Sequence, residues 1–294
     1  MKVSTIIVTR NRSQELKHVL GSLATQDQKL DELIVVDNNS DDETKQLVKN
    51  FIKNTNFPVK YILEKTQGYP LVYNRGIREA SYDWVAFIDD DCVASDYWFS
   101  SVKRAIKSQP QAAAILGCSH TFYKKNIFSL TTLIFDEFWK KSAINKDDSV
   151  VDLEILDNKN IAYNKKFLLK ENTFFSEEIV KYFNGACEDS DLGMKLQQAG
   201  GKAYYAAEMY IEHKDPTNLV WYYKKLVFSA KSHALYEQRW ADFRSKLTAS
   251  SRLKIIDFLN SFMERENLQF LDRLAIYFHV FLSIVFNKLS KFML

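Results

Sequence analysis

The sequence predicts an α/β fold with a mostly parallel sheet, helices on both faces, and a helical extension at the C-terminal end. Three observations carry this. Short apolar runs recur at residues 3–8, 33–36, 59–63 and 84–88. Segments of helical spacing, about 10–15 residues each, separate them, which is the rhythm of parallel strands joined by right-handed helical crossovers. From residue 218 onward the chain reads as helices only.

Each element has its own signal. Residues 3–8 (VSTIIV) are continuous and β-branched, as a strand buried on both faces must be. Ser13 is placed to cap a helix that carries Leu16, Val19, Leu20 and Leu23 at helical spacing. Residues 33–36 form a second strand. Residues 41–52 read as a helix whose first turn holds Asp42 and Glu43, the charge sign a helix N-terminus favours. A strand at 59–63, a short helix at 71–80 and a strand at 84–88 follow. Beyond residue 110 the pattern loosens: a strand at 112–116, an irregular and mobile insertion at 123–149, a helix at 190–198 ended by Gly200-Gly201, and short strands at 203–206 and 210–211. The expected organisation is an α/β domain over 1–216, with halves 1–110 and 111–216, and a helical extension over 217–294.

Composition narrows the function classes. The chain has 294 residues with 40 Lys+Arg against 37 Asp+Glu, a net +3 that gives no reason to expect a nucleic-acid partner. Only 8 Gly and 4 Pro exclude linker-rich and collagen-like chains. Three cysteines without CxxC spacing fit a reducing, cytoplasmic compartment better than a disulfide framework or thiolate zinc site. The first ten residues open a strand and show no signal-peptide pattern, and the apolar run 274–286 is short for a membrane span.

In a doubly wound sheet, ligands bind beyond the carboxyl ends of the strands. There the sequence sets Thr9, Asn11 and Arg12 after the first strand, Asp37 and Asn39 after the second, and Asp89-Asp90-Asp91 after the fourth. Three successive carboxylates repel one another unless a cation or donors are near, and Mg²⁺ or Mn²⁺ takes oxygen ligands of this kind. The plain alternative is a solvated acidic turn with Asp96 capping the next helix. Asp37 can accept from a base or ribose, or merely open an Asx turn. Glu188, Asp189 and Asp191 open the 190s helix, where acidic residues are stabilising without any substrate; the functional reading is a general base. His213 matters only if the fold brings it beside Asp91. Gly68 and Gly76 bracket a turn and helix that match neither GxGxxG nor a P-loop, with Asn74 and Arg75 able to face phosphates.

These landmarks, in this order, resemble family 2 glycosyltransferases of the GT-A fold: Ile7-Val8-Thr9-Arg10-Asn11-Arg12, Val35-Val36-Asp37-Asn38-Asn39-Ser40-Asp41-Asp42, Asn74-Arg75-Gly76-Ile77, Phe87-Ile88-Asp89-Asp90-Asp91 and Glu188-Asp189-Ser190-Asp191-Leu192. The resemblance covers roughly residues 1–215. It implies an inverting transferase that moves sugar from a nucleoside-diphosphate sugar, usually a UDP-sugar, to a glycan, lipid-linked or protein acceptor with Mn²⁺ or Mg²⁺. It assigns Asp37 to the nucleobase, Asp89 to the ribose side, Asp91 and His213 to the metal together with Asp89, Asp189 to proton abstraction, and Asn160 to an acceptor-side segment. Lys159 stands where the family commonly has Gly, and Tyr73 where it often has Arg. Tyr236 replaces the Gln of the processive QxxRW signature ending here in Arg239-Trp240, so a non-processive enzyme is expected. A nucleotidyltransferase would need a glycine-rich loop after the first strand, which is missing; a non-catalytic binding module of the same fold is the other alternative.

Residues 217–294 hold 12 Lys+Arg and 6 Asp+Glu, a net +6, whereas residues 1–216 hold 28 and 31. Ile255, Ile256, Leu259, Phe262 and Met263 recur at helical spacing. Such a stripe packs on the core, on a second subunit of a homo-oligomer, or on the inner face of the cell membrane.

Overall fold

The computed structural model describes residues 1–144, 149–178, 186–244 and 255–290. The four strands expected from the apolar runs form one edge of the sheet: β1 (Val3–Thr9), β2 (Glu32–Asp37), β3 (Val59–Leu63) and β4 (Trp84–Ile88), in the spatial order β3-β2-β1-β4. They run parallel, with Thr9 beside Asp37 and Ile6 beside Phe87. Every residue of β1, β2 and β4 is buried, which is why their sequences are continuous rather than alternating. Helices α1 (Ser13–Ala24), α2 (Thr44–Asn54), α3 (Tyr69–Glu79) and α4 (Trp98–Ser108) connect these strands and follow them. Leu16, Val19, Leu20 and Leu23 of α1 join Val3, Ile7, Val35 and Trp98 in one core.

Beyond β4 the sheet continues through short β5 (Cys92–Ala94), β6 (Ala114–Thr121), β7 (Val150–Val151), β8 (Asn160–Asn164) and β9 (Ala203–His213). Strand β8 is antiparallel to both β4 and β6, so β6 runs with the parallel set. The two short strands expected at 203–206 and 210–211 are one strand of 11 residues. Exposed Ala207 and Glu208 interrupt its apolar pattern but not its backbone pairing. A 3₁₀ turn (Leu153–Ile155) and the helices α6 (Lys165–Lys170) and α7 (Glu188–Gln198) complete this part.

Several boundaries differ from the sequence reading. Ser13 is the first helical residue of α1 rather than its cap, and its N–H donates to Asp42 Oδ2 at 2.9 Å. Helix α2 begins at Thr44, because Asp42 is used in a turn, accepting from Thr44 N–H at 3.0 Å. Tyr97, not Asp96, precedes α4.

The chain divides into two compact units, one of Met1–His120, Asn145–Asn184 and Glu188–His213, the other of Thr121–Ile144, Gly185–Cys187 and Lys214–Leu294. The second unit holds α5 (Ile127–Ala143), α8 (Leu219–Arg244), α9 (Ile255–Arg265) and α10 (Phe270–Ser290). Helix α5 lies in the stretch expected to be irregular. Asn126 caps it by accepting from Phe128 and Ser129 N–H, and Leu130, Leu133, Ile134 and Phe138 bury one face. That face meets Phe258, Leu259, Phe262 and Met263 of α9 and Ile276 and Val280 of α10. Leu259, Phe262 and Met263 of the expected stripe are therefore core of this unit and Ile255 packs against them, whereas Ile256 is exposed. No helix among the described residues is long and apolar enough to cross a membrane.

Candidate functional site

The loops after β1 and β2 are tied to each other. Asn11 N–H donates to Ser40 Oγ at 2.9 Å, and Asn11 Oδ1 accepts from Asp41 N–H at 2.8 Å. Asn11 (φ 52°) and Asn39 (φ 60°) take the left-handed conformation that asparagine tolerates better than most residues. Both side chains are exposed, at the rim. Asp37 is buried and accepts from Ser40 N–H at 2.9 Å and from the Tyr61 hydroxyl at 2.6 Å. It opens the loop as a turn residue and keeps acceptor capacity on the strand end.

Directly after β4, Asp90 and Asp91 are buried and held by one guanidinium. Arg12 Nη1 lies 3.0 Å from Asp90 Oδ1 and 2.8 Å from Asp91 Oδ2, and Thr9 Oγ1 donates to Asp90 Oδ2 at 2.8 Å. On its other side Asp91 Oδ1 is 3.3 Å from His213 Nε2. The register explains this meeting across the sequence: the end of β9 pairs antiparallel with β5, setting His213 opposite Cys92, the residue after Asp91. Burial, then the charges of Asp91 and Asp90, push the Asp89 carboxyl up to about 8.

Beside these residues lies a cleft of about 310 Å³ lined in part by Thr9, Arg12, Gly68, Tyr69, Asp89 and Asp90. Its floor is set by Asn38, whose Oδ1 accepts from Gly68 N–H at 3.0 Å while its Nδ2 donates to Thr66 O at 2.8 Å. Gly68 sits at φ 147°, a conformation that side chains rarely adopt, and this lets the chain turn into α3. Gln67 and Tyr69 were not singled out as site residues; the turn at Gly68 into α3 brings them to the cleft.

Helix α7 supplies a second acidic group. Asp189 is half-buried and accepts from the N–H groups of Ser190 (2.9 Å) and Asn158. Burial, with the charge of Asp157, raises its carboxyl to about 7. Burial and the Asp189 charge also push the buried Glu188 well above the usual carboxylate range. Asp157 was not legible as a site residue. It lies just before β8, paired with Lys159 Nζ at 2.8 Å, and its charge bears on Asp89, Glu188 and Asp189. Asp191 is fully buried, accepting from Ser176 Oγ at 2.6 Å with Lys195 Nζ 3.8 Å away, so it fastens α7 within the fold.

The model of the family described as Glycosyl transferase family 2 matches residues 4–179. The chain belongs to this family. Among the curated relatives of this chain, validoxylamine A glucosyltransferase of Streptomyces hygroscopicus subsp. jinggangensis is 29% identical over 148 residues, 49% of this chain and 35% of that protein. The GalNAc(5)-diNAcBac-PP-undecaprenol beta-1,3-glucosyltransferase of Campylobacter jejuni is 40% identical over 92 residues, 31% of this chain and 29% of the relative. The chain spans about a third or less of the length of these relatives. Solved structures share the GT-A fold. The mannosyltransferase PcManGT of Pyrobaculum calidifontis, in complex with GDP-Man and Mn²⁺, superposes with a TM-score of 0.62 at 17% identity, covering 94% of this chain and 73% of that one. S. aureus TarS in complex with UDP-GlcNAc gives 0.59 at 18% identity, covering 99% and 90%.

Three of the expected substrate contacts have other partners. Asn74 is buried and spends its amide on Phe175, donating to its carbonyl at 2.9 Å and accepting from its N–H at 3.0 Å. Arg75 pairs with Glu79 at 2.9 Å on the surface of α3. Asn160 is buried at the sheet centre, accepting from Trp98 Nε1–H at 2.9 Å and donating to the carbonyls of Cys118 (2.8 Å) and Met209 (2.6 Å). These bonds stitch three strands and α4. Removing them leaves buried polar groups unpaired, so Asn160→Ala is expected to cost roughly 2–4 kcal/mol in urea unfolding. A loss under about 1 kcal/mol, with a raised acceptor KM, would return Asn160 to an acceptor role.

A divalent cation needs hard donors here. Among the described residues no three His, Cys, Asp or Glu side chains are grouped to hold a metal. The Asp91–His213 pair nevertheless fits Mg²⁺ or Mn²⁺, which commonly take one or two protein side chains and complete their shell from substrate phosphates and water.

Proposed function

We propose that the chain is an inverting, divalent-metal-dependent glycosyltransferase that moves a sugar from a nucleoside-diphosphate sugar, a UDP-sugar first among them, to an acceptor hydroxyl in cell-surface glycan or polysaccharide synthesis. One observation carries this reading: His213 reaches 3.3 Å from Asp91 across 122 positions of sequence, on the strand edge that also bears Asp89, Asp90 and the cleft. The acceptor is a glycan, a lipid-linked glycan or a protein. The Campylobacter relative, named for a PP-undecaprenol-linked glycan, supports the lipid-linked class.

Each residue has a task in this reaction. Asp37, at the end of β2, accepts from the nucleobase or ribose. Asp89 lies on the ribose side, and Asp91 with His213 would hold the cation. When bound, that ion supplies Lewis-acid stabilisation of the charge that grows on the leaving diphosphate. Arg12 orients Asp90 and Asp91, and its guanidinium adds a fixed positive charge beside the cleft. Asp189, raised to about 7, takes the proton of the acceptor hydroxyl. In-line attack from the base's side, opposite the leaving group, inverts the anomeric centre.

A panel of UDP-, GDP- and TDP-sugars with Mn²⁺, assayed for hydrolysis and transfer, tests this. We expect one nucleotide class to be turned over, turnover to fall by at least about 100-fold on chelation of the metal, and the product to carry the inverted anomer. Turnover that chelation leaves unchanged, or a retained anomer, would contradict the reading.

A further inference from the structure

Helix α10 buries Ile276, Val280 and Ser283 within the helical unit and leaves another face bare. Phe270, Leu271, Leu274, Tyr277, Phe278 and Phe281 are between 37% and 76% exposed. At about 100° per residue these six fall within an arc of roughly 120°, a continuous apolar stripe about 16 Å long. Asp272 and Arg273 lie outside that arc. Scattered apolar side chains on a surface need no explanation, but six large ones aligned on one helix do.

We propose that this face of α10 docks on an anionic lipid bilayer. Two observations favour lipid over a protein partner. The first is area: one helix face of this length and about 10 Å width offers a few hundred Å² at most, well below the roughly 800 Å² per partner of a stable protein interface. A single helix face is enough at a bilayer, where the apolar area inserted and the attraction to anionic lipid add together. The second is charge. Residues 217–294 carry a net +6, which complements anionic headgroups and adds to insertion. The inference concerns the helical unit alone and is independent of the catalytic reading.

Flotation with phosphatidylcholine vesicles, with and without phosphatidylglycerol, tests it on the full chain. The wild type is expected to float with the anionic vesicles, less so at high salt, and to partition at least about tenfold more weakly to phosphatidylcholine alone. The variant Leu274→Ser/Phe278→Ser/Phe281→Ser is expected to lose flotation by at least about tenfold while keeping the wild-type melting temperature, since all three side chains are exposed. If the triple variant melts lower, Phe281→Ser alone carries the test, with a loss of several-fold. Equal flotation of wild type and variant would overturn the proposal. So would a wild type that ignores both vesicles, or one that light scattering shows to be a dimer dissolved by the triple variant.

Discussion

Asp189→Asn is expected to lower sugar transfer by about 10²–10⁴-fold while leaving nucleotide binding unchanged, because the amide keeps the shape and loses the basic oxygen. The pH dependence follows from the same group. The Asp189 carboxyl is raised to about 7 by burial and by the Asp157 charge, so below that pH it is protonated and cannot accept the acceptor proton. Wild-type kcat/KM should therefore fall about tenfold per pH unit below about 7, and the residual rate of Asp189→Asn should lack this limb. Stability moves the other way. Folding favours the protonated carboxyl, so the stability this group contributes declines as pH rises from about 4 to about 7 and is absent above. Asp189→Asn is therefore expected to raise Tm at pH 8 and to leave it nearly unchanged at pH 4. A variant that loses activity and Tm together at pH 8 would mark Asp189 as a structural residue.

Gly193→Ala should be strongly damaging to the unit that holds the sheet. A Cβ at this position would stand 1.8 Å from the carbonyl oxygen of Leu153 and 2.8 Å from its carbonyl carbon. The obstacle is backbone, so no rotamer change relieves it. Helix α7 would have to move off the 3₁₀ turn to which Ser190 Oγ also ties it, at 2.8 Å to the Glu154 carbonyl. That turn leads into Asp157 and Asn158, and α7 carries Glu188 and Asp189, so the shift would disperse the second acidic group. We expect a loss of more than about 3 kcal/mol in urea unfolding, with transfer activity falling as well. Gly21, on an open face of α1 with nothing within 4 Å, is the matched control, and Gly21→Ala should be neutral or mildly stabilising. Wild-type stability in Gly193→Ala would contradict the packing described.

The legible part of this molecule was the part made by local sequence. Continuous apolar runs marked β1, β2 and β4, because strands buried on both faces admit little else. The strand-end carboxylates were readable for the same reason, since they follow those runs directly. His213 was readable only as a condition, because its place depends on the β5–β9 register, which no local pattern encodes. Asp157 had no signal at all: its charge matters through the return of β8 beside β4. Asn74, Asn160 and Asp191 have structural partners that no local pattern encodes. Their residue types suit a site, and the fold uses their polar atoms to fasten buried segments. In the helical unit, the α5 pattern of Leu130, Leu133, Ile134 and Phe138 was present in the sequence but masked by aromatic residues on its other faces.

The proposed division of labour sets Asp91 on the cation and Asp189 on the acceptor proton. Calorimetric titration of UDP into wild type, Asp91→Ala and Asp189→Asn, each with Mn²⁺ and with chelator, tests it most directly. Mn²⁺-dependent binding is expected in wild type and Asp189→Asn alike, with a loss of at least about tenfold in Asp91→Ala. Binding of UDP by Asp91→Ala with wild-type affinity and the same Mn²⁺ dependence would contradict it.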